Sequence, residues 1–402
     1  MLSTAAASLA IADSLQPFGV EHVSLAKACG RVLRQAACAE RDQPPFDRVM
    51  MDGIAVNFDA LDNGQQQFRI AGTQHAGDPA QTLGDPASCI EIMTGAVLPQ
   101  GCDCIIPVER LQVSDGIAIV EDNYATQRHR FIHPQGSDFP SGTEVLAPGK
   151  IIGPMDIAVI ASCGLENVVV SRLPTIRVIS TGNELVAAGQ TIQAHQIRLS
   201  NGPALVAMLE GQGFSDCSHE HMVDDEQLLT TRIEAHLVAA DVLILSGGVS
   251  MGKADFVPDV LARLGVEKVF HKISQRPGKP MWFGLGPRKQ AVFALPGNPV
   301  SSLVCCRQYV LPALYLGSAR NNRPVEYASL GETVTFNPPL TNFLPVRVHA
   351  DASGTLIATP VKTNTSGDFA ALSSTDGYVE LAQGESEFVA GSAVPLHRWD
   401  MP

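Results

Sequence analysis

Positive charge is scarce in this chain: 28 lysines and arginines stand against 41 aspartates and glutamates, leaving a formal charge of −13. Such an excess repels a polyphosphate backbone, so nucleic acid is not an expected partner. A small anion remains compatible, because a helix N-terminus or a few cations can hold it locally. Paired cysteines are missing too. The nine cysteines are odd in number and scattered without a CxxC pair, which excludes a disulfide framework and a dithiol redox motif and fits a reducing cytoplasm. Cys102-Asp103-Cys104 has no second ligand pair at zinc spacing, so loop and strand packing explains it better than a metal. No segment reaches the roughly 18 uninterrupted apolar residues of a membrane span. Met1 to Gly19 lacks a basic n-region and carries Asp13 within its apolar stretch, reading as an amphipathic helix rather than a signal peptide. No HExxH pair or Ser-His-Asp order occurs. What is present is length and apolarity: 402 residues, 45% hydrophobic, call for two to four packed domains.

From Leu173 to Gly317, short β-branched runs alternate with helical patterns, the mark of a mainly parallel sheet covered by helices. Thr175 to Ser180 is the first run. Leu205, Met208 and Leu209 share a helix face after the capping residues Ser200 and Asn201, and Leu229, Ile233 and Leu237 share another. Val242 to Leu245 is an unbroken apolar run, as expected for a strand buried on both faces. Residues 46–138 are rich in Gly, Pro and short strand-like runs and read as a small β domain. The flanking segments 1–45 and 139–170 form a discontinuous helix and hairpin linker domain in this reading. Residues 171–318 are the three-layer α/β domain, and 319–402 are a C-terminal β-barrel.

Three loops follow strands of the α/β domain, and in an open parallel sheet such loops meet in a crevice at the carboxyl edge. They are Thr181-Gly182-Asn183-Glu184, Ser246 through Asp255, and Pro296-Gly297-Asn298-Pro299-Val300-Ser301. Gly247 and Gly248, directly after the buried strand, let backbone amides approach a phosphate, with Ser250 as a further donor. Gly247 to Ala254 nearly spells a P-loop, but Ala254 lacks the hydroxyl that magnesium needs there. Glu184 and Asp255 offer a carboxylate pair able to hold Mg²⁺ near phosphates; first-turn acid and helix cap are their plain structural roles. The rigid Pro296-to-Pro299 turn and Ser301 could meet a second anionic group or serve structure alone. Lys272, Arg276 and Lys279 are cations suited to an oxyanion, though their spacing equally describes a solvated basic turn. His219 and His221 alternate on a weak strand, where exposure explains them better than metal binding.

Taken together and in order, Pro45-Phe46-Asp47 with Met51 to Val56, Met93 to Ala96, Gly136-Ser137-Asp138, Thr181 to Leu185, Ser246 to Asp255, Arg276 to Pro280 and Pro296 to Ser301 resemble the MoeA family. These are the molybdopterin molybdotransferases, a group that includes the C-terminal domain of gephyrin. Seven motifs in register span nearly the whole chain. The resemblance implies an elongated four-domain homodimer whose cleft lies between the α/β domain and the small β domain, the latter supplied by the partner subunit. Asp52, Thr94 and Asp138 would then serve the same site as Glu184 and Asp255, with Arg347 and Ser366 added from the last domain. It also implies adenylyl-molybdopterin and molybdate as substrates, Mg²⁺ as the required ion, and AMP release. A molybdopterin adenylyltransferase and cofactor-accepting molybdoenzymes become possible partners, and no membrane is involved. Two positions depart from the family pattern. His133 stands where arginine is frequent, which weakens anion binding once the histidine is neutral. Arg276 stands where lysine is common, which keeps the charge and changes its geometry. Two other readings stay open: an adenylyltransferase, whose fold resembles the α/β domain alone, and a non-catalytic docking protein, against which the intact acids Asp52, Glu184 and Asp255 argue.

Overall fold

The computed structural model describes residues 1–248, 256–321, 324–362 and 368–399; Ser250, Asp255 and Ser366 lie outside them. Helix α1 (Thr4–Ser14) opens on Ser3, whose side chain accepts from the Ala6 amide, as a capping serine should. The sequence groups this helix with the 139–170 segment. Its buried face, Ala7 and Ile11, packs in the α/β core, Leu2 bridges to Ile273, and Phe18 packs where Gly317 leaves room. Apolar periodicity told that the helix buries a face, but not against what.

Strands β1 (Val20–Ser24) and β2 (Ala37–Cys38) precede the small sheet, whose six strands are β3 (Gly53–Val56), β4 (Gln67–Gln74), β5 (Ser88–Ile92), β6 (Cys104–Pro107), β7 (Leu111–Ser114) and β8 (Ile117–Val120). They pair in the order β6-β3-β5-β4-β8-β7. Cys102 and Cys104 are buried in two different apolar clusters of this unit. Burial first, and the Asp103 charge second, push the Cys102 thiol up to about 12, which leaves it a small apolar side chain at neutral pH. Beyond the sheet, β9 (Glu144–Leu146) returns to pair with β2, and β10 (Asn167–Ser171) pairs with β1 after helix α2 (Pro154–Ser162). Leu33, Leu146, Ile160 and Val170 close a core between chain segments on either side of the small sheet.

The α/β unit runs β11 (Ile176–Thr181), α3 (Asn201–Gly211), β12 (Cys217–Met222), α4 (Glu226–Ala239), β13 (Val242–Ser246), α5 (Val257–Arg263), β14 (Glu267–His271), β15 (Trp282–Leu285) and β16 (Ala291–Leu295). It ends in α6 (Pro299–Cys305) and α7 (Leu311–Gly317), joined by a π-helical turn. The sheet order is β12-β11-β13-β16-β15-β14; the first four strands are parallel, and β15 runs against them, pairing antiparallel with both β16 and β14. Every residue of β13 is buried, as an apolar run covered on both faces requires. On one face Val178, Leu205, Phe293 and Tyr309 pack with α1, α3 and the last helices; on the other Leu229, Ile233, Leu245 and Val260 pack with α4 and α5. The three layers follow.

At the amino edge of this sheet, Asp241 receives both Arg172 amino groups at 2.9 and 2.8 Å and the Thr175 amide at 2.8 Å. Burial alone would raise this carboxyl, but the Arg172 and Thr175 hydrogen bonds outweigh it and hold the group below 3.8. A carboxylate depressed on folding stabilises the fold above its unfolded value, and that contribution vanishes as pH falls through the lower folded value. Asp241→Asn is therefore expected to cost about 1 kcal/mol near pH 7, allowing for the partly exposed guanidinium, and nothing below the folded value. Urea unfolding at pH 7 and pH 3 checks this, and an equal loss at both would refute it.

The last unit has strands β17 (Glu326–Leu330), β18 (Thr341–Ala350), β19 (Leu356–Pro360), β20 (Gly377–Leu381) and β21 (Ala393–Arg398). Pairings β18-β19, β19-β17, β17-β21, β21-β20 and β20-β18 return to their starting strand, so the sheet closes as a barrel. Among the described residues, no helix is long and apolar enough to cross a membrane.

Candidate functional site

Strands β11, β13 and β16 end level: Ser180 lies opposite Ser246, and Ser246 opposite Leu295. Loops leaving them must therefore emerge side by side at the carboxyl edge. They do, around a pocket of about 570 Å³ lined by Thr181, Gly182 and Glu184 from the first, Gly247 and Gly248 from the second, and Pro296 to Pro299 with Ser301 from the third. Glycine is required where the loops touch. At φ +101°, a Cβ on Gly247 would sit 2.7 Å from the Thr181 carbonyl oxygen, and one on Gly248, at φ +66°, 2.7 Å from Val257 Cγ2. A Cβ on Gly297 would come within 3.4 Å of Gly247 Cα. Asn201 binds the assembly, its Nδ2 donating to Ser246 Oγ at 2.9 Å and the Gly297 carbonyl at 2.8 Å.

The structure thus brings together Glu184, Gly247, Gly248, Pro296, Gly297, Asn298, Pro299 and Ser301. Lys272, Arg276 and Lys279 do not line this pocket; of their segment, Pro280 does. The reason is local. A Cβ on Gly278 would meet Cys305 Sγ at 2.4 Å, so the backbone itself is pressed onto α6, while Arg276 and Lys279 are exposed. Lys272, at φ +73°, is fixed by its amide donating to the Met281 carbonyl at 2.9 Å. Among the described lining residues, the cation is Arg198, which the sequence reading missed. Its guanidinium donates to the carbonyls of Ala187 and Gln190, at 2.9 and 2.8 Å, closing the loop that reaches the rim. Nothing in the spacing of that Gln-rich stretch marks it. Asp224 was also missed; its amide donates to Asn183 Oδ1 at 3.1 Å, and its Oδ2 accepts from the Asn183 amide at 3.3 Å.

The remaining predicted residues lie elsewhere in the chain. In the small β unit, Asp52 Oδ1 accepts from the Thr94 hydroxyl at 2.7 Å and the Thr94 amide at 2.6 Å. Those two bonds, the hydroxyl's first, hold the exposed Asp52 carboxyl below its usual value. Nearby, Arg48 Nη2 meets His133 Nδ1 at 2.9 Å, and His133 Nε2 meets Asp138 Oδ1 at 2.9 Å. A guanidinium can only donate, so Nδ1 carries the lone pair and Nε2–H points at Asp138. Arg347, exposed on the barrel, donates from Nε to the Ser374 carbonyl at 2.8 Å. None of Asp52, Thr94, Asp138 or Arg347 lines the pocket of this chain.

A magnesium ion fits the donors at the pocket in a particular way. The exposed Glu184 carboxylate has no hydrogen-bond or ionic partner among the described residues, and no group of three or more His, Cys, Asp or Glu able to form a metal cage occurs among them. That donor set suits an ion held by one or two carboxylates together with phosphate oxygens and water. It does not suit zinc.

Comparison with known proteins gives a consistent pattern. Residues 2–164 match the model of the MoeA N-terminal region (domain I and II), 177–315 that of a probable molybdopterin binding domain, and 327–399 that of the MoeA C-terminal region (domain IV). The chain is 38% identical over 401 residues to the molybdopterin molybdenumtransferase of a Synechocystis strain, covering 99% of this chain and 100% of that one. It is 36% identical to the same-named protein of Synechococcus elongatus, over 77% and 79% of the two chains. The solved molybdopterin biosynthesis MoeA protein from Pyrococcus horikosii superposes with a TM-score of 0.85 at 27% identity, covering 99% of each chain.

Proposed function

Because the chain belongs to the MoeA family of molybdopterin molybdenumtransferases, enzymes of the transferase type, we propose that it inserts molybdate into adenylyl-molybdopterin with Mg²⁺-dependent release of AMP. The observation that carries this reading is the pocket into which three strand-end loops deliver a glycine pair, backbone amides and a carboxylate with no hydrogen-bond or ionic partner among the described residues. In that reading the Gly247-Gly248 turn and the Pro296–Ser301 turn face the anionic groups of the substrate, because glycine and a helix start expose N–H donors without a side chain in the way. Arg198 stands at the rim as the charge available to an oxyanion, and Glu184, with Asp255, would hold Mg²⁺. Bound there, the ion supplies neutralisation of the charge that develops when the phosphoric anhydride is cleaved. Asn201 keeps the second and third loops in register with each other, so the donors stay fixed while charge develops.

Further parts of the proposal concern the remaining residues. Lys272, Arg276, Lys279, Ser250, Asn298 and Ser366 are assigned to substrate contact, and Asp52, Thr94, Asp138 and Arg347 to the cleft as completed by a second subunit. Since Asp52, Thr94, Asp138 and Arg347 do not line the pocket of one chain, a homodimer in which the small β unit faces the partner's pocket gives them a role. The domain limits 46–138, 171–318 and 319–402, with 1–45 and 139–170 as the interrupted linker domain, and a cytoplasmic location, belong to the same reading. The test is AMP release from adenylyl-molybdopterin, with molybdate and Mg²⁺ present or omitted singly. Release that needs both is expected, with Asp255→Asn losing it and retaining the oligomeric state of the parent. Adenylation of molybdopterin from ATP would overturn the reading in favour of an adenylyltransferase.

A further inference from the structure

Strand β12, at the edge of the α/β sheet, carries His219 and His221 opposite Val178 and Ser180 of β11. Sequence spacing leaves these histidines as exposed strand residues; they are partly buried and hydrogen-bonded instead. His219 Nε2 lies 3.0 Å from Ser180 Oγ, and His221 Nε2 lies 2.9 Å from the Gly182 carbonyl oxygen. Ser180 and Gly182 line the pocket, whereas neither histidine does. A carbonyl can only accept, so His221 Nε2 bears a proton and donates it. The same glycine donates its amide to the Met222 carbonyl at 3.2 Å, and Asn183 is held through the reciprocal contact with Asp224. Both backbone polar groups of Gly182 are therefore tied to the edge strand, the carbonyl also accepting the Leu185 amide at 3.4 Å within the turn, and at its φ of +149° the Glu184 carboxylate lies within 2.7 Å of where a Cβ would be. His219 occupies space that only a glycine on α3 leaves open, since a Cβ on Gly202 would fall 2.1 Å from its Nε2. The residue beside that glycine is Asn201, which ties the second and third loops.

We propose that His219 and His221 are positioning residues of the pocket: without touching the substrate, they fix the turn from Ser180 to Glu184 against the edge strand, and thereby the direction of the Glu184 carboxylate. The proposal rests on the reading of this pocket as the site of molybdenum insertion. The geometry assigns His221 the larger share, because it supplies a side-chain donor to the turn itself, while His219 acts one residue before it through a hydroxyl. Burial first, and the charge of His221 second, hold His219 below its ordinary value, consistent with a neutral ring at that hydroxyl near pH 7. A turn held by a fixed side-chain donor keeps its carboxylate in the orientation that catalysis needs, and loosening it lowers turnover more than binding.

The test uses the full chain with His221→Leu, His221→Gln, His219→Leu and His219→Gln. Glutamine keeps an amide N–H for the carbonyl; leucine fills the volume without one. Without ligand, His221→Leu is expected to speed amide hydrogen exchange in the segment from Thr181 to Leu185 by about tenfold, with exchange in β13 and the melting temperature little changed. In the AMP-release assay it is expected to lower kcat by about tenfold with KM nearly constant, and His221→Gln to recover most of that loss. His219→Leu should act in the same direction with a smaller effect. Parental exchange and kcat in the leucine variants would overturn the proposal. So would equal losses for leucine and glutamine accompanied by a matching fall in melting temperature, because that marks bulk destabilisation. Should the parent protein release no AMP, the functional reading fails, and the exchange measurement alone still decides whether the histidines hold the turn.

Discussion

Gly247→Ala is expected to lose about 2–4 kcal/mol of stability and to weaken substrate binding at least about tenfold, although it adds a single methyl group. Two effects add. At φ +101° any L side chain is strained, at about 1 kcal/mol, and here the methyl would also meet the Thr181 carbonyl at 2.7 Å, where backbone and not a flexible side chain must give way. Relief requires the second loop to part from the first, which is the contact that forms the pocket. Gly213→Ala separates the two contributions, because its φ of +90° carries the strain while its Cβ would meet nothing nearer than the Gly30 carbonyl at 3.9 Å. Urea unfolding should give Gly213→Ala about 1 kcal/mol and Gly247→Ala clearly more, with binding weakened only in the latter. Equal losses would mean that close packing between the loops contributes nothing.

The same glycine pair shows why the pocket was readable from sequence. A buried apolar run such as Val242 to Leu245 admits one placement, at the centre of a parallel sheet, and residues immediately after it must lie at the carboxyl edge. Glu184 and Pro296 follow the same rule after their own strands, so local pattern plus one topological principle brought eight predicted residues together. Roles that depend on register between distant segments carried no such mark. His219 and His221 differ from surface histidines only because β12 pairs with β11 and α3 offers a glycine there. Arg198 reaches the rim through a loop whose closure rests on two carbonyls that any residues could supply. Lys272, Arg276 and Lys279 do not line the pocket of one chain, where the backbone of their segment is what packs inward. Helix α1 follows the same logic: its buried face was legible and its destination was not, since the α/β core it joins is assembled from residues far along the chain, from Ile176 to Leu314.

Glu184→Gln should reduce AMP release by about a hundredfold at fixed Mg²⁺ while leaving the fold intact. Stability is expected to change by less than about 0.5 kcal/mol, because the carboxylate is exposed and has no hydrogen-bond or ionic partner among the described residues that its loss would leave buried. Function should change sharply for the same reason, since a charge without a pairing partner among the described residues is available to an ion. Glutamine preserves volume and one acceptor oxygen but removes the negative charge that attracts a hard cation, so the deficit should shrink as Mg²⁺ is raised and the apparent Mg²⁺ requirement should rise by about tenfold or more. A titration of AMP release against Mg²⁺ for parent and variant decides it. A rate lowered by one constant factor at every Mg²⁺ concentration would place Glu184 in substrate contact and not on the ion. An unchanged rate would remove it from the chemistry altogether, leaving the turn that β12 holds so tightly without a charge to aim.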